Sequence, residues 1–543
     1  MAQVTVGTRQ GRVRGEELDG VVRFAGIPYA AAPDPARGRF TWPVAPPSWS
    51  GVRDATAFGP VAPQPKAAPG YLPGEAAVQD EECRTLNVWA PTAPGERRPV
   101  VVFVHGGAFL AGAGSSRLYD GAALARRGVV VVTFNYRLGA LGFLAHEALR
   151  LPGGPCGNWG LADQLAALGW VADHAAVFGG DPARVTVAGE SAGAMSVCDL
   201  LGAPAARGRF RRAVVESGFA LARSLPTARA VAEGLARSLG VAPEREALGQ
   251  VPLEELLEAQ QAVVSAVDEG LGMPFAPVVD GHLLARHPAD VLAAGEGAGP
   301  VEVLAGTNRD EFRFFTFLSS LARGADEVRL TSLVGGYLGT AGLGEKVAPG
   351  EVVEAYRAAR AARGEPVAPG ALLEAFGTDF VFRIPLLRLL EAHGHAGGRT
   401  FAYRFDWPSP FAGGALGACH GIELPFVFAT HRDPLVGVFS GTGPEVTGLS
   451  GAVQDAWAAF AATGDPSTGR LGPWPAYEPG RRATMLLGPD PVVVDDPDAA
   501  ERVFWEGRLG RYGAGGPVEG AEAKGVGFLD PSEALGIRGT GGA

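Results

Sequence analysis

The sequence predicts an α/β protein with a mostly parallel sheet and helices on both faces. Three observations predict it. First, Val100 to Val104 (VVVFV), Gly128 to Phe134 (GVVVVTF) and Val185 to Ala188 (VTVA) are short apolar runs bounded by turn residues. Such runs read as strands buried on both faces, as parallel sheets require. Second, Leu161, Leu165, Leu168 and Val171 recur at helical spacing in the segment opened by Asn158-Trp159-Gly160. Third, strands and helices alternate, which favours parallel strands joined by crossover helices. In such folds the site lies at the carboxyl ends of the strands.

Composition bounds the function. Of 543 residues, 47% are hydrophobic and 19% charged, a globular balance with a large core. The net charge of −11 argues against nucleic acid and anionic membrane surfaces as partners. No apolar run reaches the length of a spanning helix, and the N-terminal segment lacks the apolar stretch of a signal peptide. Cys83, Cys156, Cys198 and Cys419 fit neither a metal site nor a redox pair. Free thiols and a cytoplasmic location are the simplest expectation.

The elements follow in order. Residues 4–25 alternate apolar and polar around turns and read as an antiparallel hairpin edge. A Pro-rich irregular stretch runs to Pro73, pinned by Phe40, Trp42 and Trp49. Leu86 to Trp89 is a short strand, followed by the apolar strands above. Asp181-Pro182 caps the loop into the third of these. Phe210 to Glu216 is the next strand, residues 226–270 are helical, and Val278 to Gly281 is a turn. Val301 to Leu304 and Thr400 to Asp406 are the later strands. Residues 312–395 between them read as a run of helices covering the cleft as an inserted cap. A catalytic domain over 1–506 would then be followed by a Gly-rich extension, 507–543, around the apolar segment VGFLDPSEALGI.

The chemistry is expected around Gly189-Glu190-Ser191-Ala192-Gly193. With 80 glycines, a GxSxG arises by chance roughly 0.4 times in such a chain, so context must carry the assignment. Here the motif sits between a buried strand and a helix, where it forms an elbow that projects the Ser191 hydroxyl over a helix N-terminus. Upstream, the central strand ends in His105-Gly106-Gly107-Ala108-Phe109. Small residues there let backbone N–H groups point into a cleft, as an oxyanion requires. Gly107 and Ala108 are the expected donors, with Ala192 as the third. In this fold the order is serine, acid, histidine. Asp310 and Glu311, after the strand at 301–304, both meet it as the acid. Of the nine histidines, only His420 lies on a loop after a late strand and downstream of both serine and acid. His105 precedes the serine; the others sit in helices, turns or a helix end. Ser217 either supports the site by a hydrogen bond or simply terminates its strand.

The stretches GIPYA, RFTWPVAPPSW, EECRTLNVW, HGGAF, NYRLGALGF, GNWGLADQLAALGWV, FGGDP, VTVAGESAGA, ESG, GTNRDEF and CHGIELPFVF occur in this order. With WAAFAATGDP and WPAY they span about residues 20–480. By them the chain resembles the type-B carboxylesterases, the cholinesterase and para-nitrobenzyl esterase family. The resemblance implies an α/β-hydrolase fold, Glu311 as the acid and His420 as the base. It implies an ion pair between Glu81 and Arg137. Two departures stand out. Phe312 replaces the family's usual glycine after the acid and is expected to narrow the pocket. Ala62 stands where some relatives carry the disulfide partner of Cys83, so Cys83 is expected to be free.

The expected function is a serine carboxylesterase acting through an acyl-enzyme on Ser191, without metal or organic cofactor. Met273, Phe314 and Phe315 are assigned to binding a small-molecule ester. The expected state is a monomer or small homo-oligomer. Two other readings share the pattern: an inactive cholinesterase-like binding module, and an amidase, peptidase or polyester hydrolase on the same fold.

Overall fold

The structure is a computed structural model that describes residues 2–31, 38–65, 78–92, 95–266, 273–297, 299–319, 322 and 324–509. From residue 510 the expected extension lies outside the described residues, as does part of the Pro-rich stretch.

A 13-stranded sheet forms the body. Its strands are β1 (Gln3–Gly7), β2 (Arg12–Leu18), β3 (Val21–Pro28), β4 (Val52–Asp54), β5 (Thr85–Pro91), β6 (Arg98–Val104), β7 (Val130–Phe134), β8 (Gly180–Glu190), β9 (Arg212–Glu216), β10 (Glu302–Asn308), β11 (Thr400–Phe405), β12 (Ala483–Leu487) and β13 (Val492–Asp495). The spatial order is β1-β2-β3-β5-β7-β6-β8-β9-β10-β11-β12-β13, with β4 on β2. The run from β7 to β12 is parallel throughout. The flanks, from β1 to β7 on one side and β13 on the other, are antiparallel apart from β4, which pairs parallel with β2. Every residue of β7 and β9 is buried, as strands covered on both faces must be.

Several elements exceed their sequence signals. The elbow strand begins at Gly180, so Asp181-Pro182 lie within it rather than in a loop. β10 continues through Thr307 and Asn308 to the acid segment. β12 and β13 had no predicted counterpart. The helix Trp159–His174 starts where expected, because Asn158 takes a left-handed φ of 60° and clamps Val278. Its side-chain amide donates to the Val278 carbonyl and accepts the Val278 N–H, both at 2.8 Å. The loop aromatics pack: Phe40 is fully buried, Trp42 stacks on His282, and Trp49 donates to the Arg12 carbonyl.

Residues 313–395 are mostly helical and have their own apolar core, built on Tyr337, Tyr356, Phe376, Phe380 and Trp505. Phe312 belongs to this core. Rather than narrowing a substrate pocket, its ring packs on Tyr337 at 6.0 Å and fills the space left by Gly377, whose Cβ would sit 2.3 Å from it.

The expected Glu81–Arg137 pair does not form. Arg137 lays its guanidinium on Asp163, with Nε 2.7 Å from Oδ2 and Nη2 2.8 Å from Oδ1. Glu81 is held instead by Arg39, at 2.6 Å. Asp163 is wholly buried on the helix packed beneath Arg137, and this buried bidentate pair outcompetes the more exposed Glu81. Cys83, Cys156, Cys198 and Cys419 are all free and buried.

Candidate active site

Ser191 tops β8 with φ 55° and ψ −125°, a conformation that costs an L-residue energy and persists only where its surroundings enforce it. The Ser191 N–H donates to the Glu216 carbonyl at 2.9 Å, and its carbonyl accepts the Met195 N–H at 2.8 Å. The flanking glycines are obligatory. A Cβ on Gly193 would lie 2.0 Å from the Val104 carbonyl oxygen, and one on Gly189 2.5 Å from the Gly193 backbone. The helix Ala192–Gly202 starts directly behind the serine, so its free N–H end faces the hydroxyl.

The loop after β6 sits against this elbow. A Cβ on Gly106 would lie 3.1 Å from that of Ser191. Gly107, Ala108 and Phe109 take φ of 109°, 54° and 61°, which turns the loop back on itself. The Gly107 carbonyl is occupied by the Leu110 and Ala111 N–H groups. Among the described residues the Gly107 and Ala108 N–H groups have no acceptor. Beneath the loop, Tyr136 donates to the His105 carbonyl at 2.8 Å and stacks on the His105 ring at 4.4 Å. Burial drives the His105 imidazole down to about 4, so it is neutral here.

The residues expected as acid and base are in contact. His420 Nδ1 lies 2.7 Å from Glu311 Oε2. The other oxygen, Oε1, accepts the Asn308 N–H at 2.7 Å and the Ser217 hydroxyl at 2.5 Å. Ser217 therefore supports Glu311 and does not merely end its strand. Asp310, the other candidate, has a different task. Its N–H donates to the Ala418 carbonyl and its Oδ2 accepts the Ala418 N–H, both at 2.9 Å. It anchors the loop that delivers His420.

Behind the imidazole lies a set of buried carboxyls that the sequence reading did not anticipate. His420 Nε2 is 3.1 Å from Glu190 Oε1, though not aligned for a hydrogen bond, so this end of the ring is directed at the elbow. Glu216 pairs with Glu190 across neighbouring strands, and its Oε1 accepts Trp457 Nε1–H at 2.6 Å. Glu423 is held by the Asn308 side-chain amide at 2.5 Å. Burial raises Glu190 to about 7, the nearby His420 pulling it down and Glu311 pushing it up. Glu216 rises to about 8, chiefly by burial, against the Trp457 hydrogen bond and with a contribution from Glu190. For His420, burial acts downward, but Glu190 and Glu311 outweigh it and hold the imidazolium above its ordinary range. So many carboxylates cannot all ionise in one dry site, and they share protons as a coupled group. Glu190 was already inside the serine motif and Glu423 inside HGIELPF; both were visible only as motif letters.

Of the residues assigned to substrate binding, Phe315 and Phe314 lie 5.2 Å and 6.4 Å from the His420 ring, centre to centre. Phe382, not anticipated, is closer at 4.9 Å. Met273 is buried in the main core, its carbonyl taking the Arg223 Nε–H at 2.7 Å, and is not among the rings packed on His420.

Sheet order, elbow and loop positions define an α/β-hydrolase. The model of the carboxylesterase family matches residues 2–505, and the chain belongs to that family. It is 37% identical over 508 residues to a para-nitrobenzyl esterase of Bacillus subtilis, covering 92% of this chain and 98% of the relative. It is 36% identical to a fumonisin B1 esterase of Sphingopyxis macrogoltabida, over 88% and 85% of the two chains. Among solved structures, a Geobacillus stearothermophilus carboxylesterase superposes with a TM-score of 0.79 at 40% identity, over 92% of this chain and 99% of that one. A PNB esterase superposes with a TM-score of 0.81 at 36% identity, over 94% and 99%. The protein is thus a carboxylic-ester hydrolase, and the inactive-module reading is not favoured.

Proposed function

We propose that hydrolysis runs through an acyl-enzyme on Ser191, with His420 as base, Glu311 as its orienting acid and the N–H groups of Gly107, Ala108 and Ala192 as the oxyanion hole. The observation that carries this is the Glu311–His420 contact at 2.7 Å, with the second Glu311 oxygen doubly held. A carboxylate fixed in this way sets the imidazole tautomer, leaving Nε2 to accept the serine proton. Nε2–H then protonates the leaving alcohol, and water repeats the sequence on the acyl-enzyme. The oxyanion meets preformed N–H donors, each worth about 3 kcal/mol of barrier.

Phe314 and Phe315, beside the base, support a role in binding the substrate; Met273 rests on the sequence reading alone. Helices of residues 312–395 act as a cap on a catalytic body. The substrate is a small-molecule ester and the enzyme a monomer or small homo-oligomer. Four buried free thiols support a cytoplasmic location. Among the described residues, no helix is long and apolar enough to cross a membrane.

The test is hydrolysis of p-nitrophenyl esters from acetate to octanoate by the wild type and by Ser191→Ala. The expected loss in kcat is about 10⁴- to 10⁶-fold. Equal turnover by the two proteins would overturn the assignment.

A further inference from the structure

The loop of residues 406–419 does more than carry His420. Its base is closed by the Ser409 N–H on the Gly417 carbonyl at 2.8 Å, and its tip exposes Pro410, Phe411, Ala412 and Ala415. The tip is fastened to the helix Pro434–Ser440. Ser409 Oγ donates to the Phe439 carbonyl at 2.5 Å, and Trp407 Nε1–H to the Ser440 carbonyl at 3.0 Å. Pro410 Cγ lies 3.4 Å from where a Cβ on Gly441 would stand. That helix presents Leu435 and Val438, 43% and 55% exposed, beside Phe411 at 38%. Neither Pro410–Ala415 nor Pro434–Ser440 contains a charged residue. Single exposed apolar side chains need no explanation, but a contiguous uncharged patch does.

The patch continues inward. Phe411 packs edge-on against Phe317 at 6.1 Å. Phe317 and Phe314 are three apart on the helix Arg313–Ser319, hence neighbours on one face. Phe314 reaches the His420 ring at 6.4 Å. A row of aromatic side chains, half-buried at Phe314 and Phe317 and exposed at Phe411, therefore forms an apolar track from the base to the surface. Direction follows from chemistry: His420 protonates the leaving alcohol, so the alcohol part of the ester lies on its side, while the acyl carbonyl turns to the loop after β6.

We infer that this track seats the hydrocarbon of the alcohol, making esters of long apolar alcohols the favoured substrate class, with Phe411 and Val438 as outer specificity determinants. The inference rests on the Ser191–His420 reading above. Each methylene that gains the track raises kcat/KM about two- to fourfold.

The experiment measures acid release from butyl, hexyl and octyl acetate, each at concentrations below and then above its solubility limit, by the wild type, Phe411→Ser and Val438→Asp. In the wild type kcat/KM rises with alcohol length. In both variants the octyl-to-butyl ratio falls at least fivefold, with unchanged melting temperature. A flat alcohol profile in the wild type, or the same profile in all three proteins, overturns the track while leaving ester hydrolysis intact. A rise that appears only above the solubility limit overturns it in favour of adsorption to aggregates. A gain that follows acyl length instead, in a matched p-nitrophenyl series, also overturns it. If the wild type hydrolyses no ester, or Ser191→Ala hydrolyses all of them equally, the catalytic reading fails and the track with it.

Discussion

The two sides of Ser191 are built from different materials. On the proposed oxyanion side the parts are backbone: Gly106, Gly107, Ala108 and the start of the helix at Ala192, with positive φ at Gly107 and Ala108 and no room for a Cβ at Gly106 or Gly107. On the proposed acid–base side they are buried ionisable side chains: Glu311, His420, Glu190, Glu216 and Glu423. The first side is built of backbone groups that do not titrate. On the second, burial and neighbouring charges push Glu190, Glu216 and Glu423 up, and against burial the adjacent carboxylates push His420 up. A hydrolase needs both, because the oxyanion must meet donors that cost no reorganisation while the proton must move.

The contrast can be broken from either side. The largest expected effect on the ionisable side is Glu311→Gln, about 10³- to 10⁴-fold in kcat, because an amide no longer enforces the tautomer. Asp310→Asn next to it is expected to cost about tenfold or less, since only a loop anchor is weakened. Steady-state kinetics of the pair checks this, and equal losses would remove the distinction between the neighbours.

On the backbone side, Gly107→Ala is expected to lose about 10²- to 10³-fold in kcat. Its φ of 109° and a Cβ 2.2 Å from the Ala111 carbonyl force the loop to move. That loss should be the same at every pH, and a pH-dependent loss would contradict the division of labour.

Glu190→Gln acts in the opposite way. Glu190 helps hold the His420 pKa up, so removing its charge lowers the acid limb of kcat/KM. The ratio of activity at pH 6 to that at pH 8 should rise by about threefold. An unchanged ratio would show that Glu190 does not act on His420.

The smallest effect, on stability rather than turnover, is Glu216→Gln. The Glu216 carboxyl stands at about 8 when folded, against an ordinary value of about 4.3 unfolded. Its contribution to stability is thus full below the unfolded value and lost as pH rises through the folded one. Glu216→Gln should gain on the wild type between pH 5 and pH 9, by on the order of 1 kcal/mol or more, in paired denaturant titrations.

This division also explains what the sequence made legible. The backbone side writes itself as small residues at fixed spacing after an apolar strand, so HGGAF and GESAG could be read directly. The acid–base side could be read only as chain order. That order pointed to His420, which the structure brings to 2.7 Å from Glu311, but it left Asp310 and Glu311 open until the resemblance favoured one. Partners chosen by tertiary contact left no local trace. Arg137 found Asp163, 26 residues away, rather than Glu81, and Glu216 met Trp457 from 241 residues away. Phe312 looked like a pocket residue by position, yet the room that Gly377 leaves drew it into the helical core. β12 registers on β11 and β13 on β12, so the short apolar runs at 485–487 and 492–494 become strands by pairing at the sheet edge.

The four cysteines have a practical consequence. Each is buried, with its thiol pushed above the ordinary range by desolvation, Cys83 up to about 12. A thiolate-seeking dye therefore stays dark on the folded enzyme and lights up on unfolding. The protein carries its own unfolding reporter, and a cysteine introduced at Phe411 would be the single addressable thiol on an otherwise silent surface.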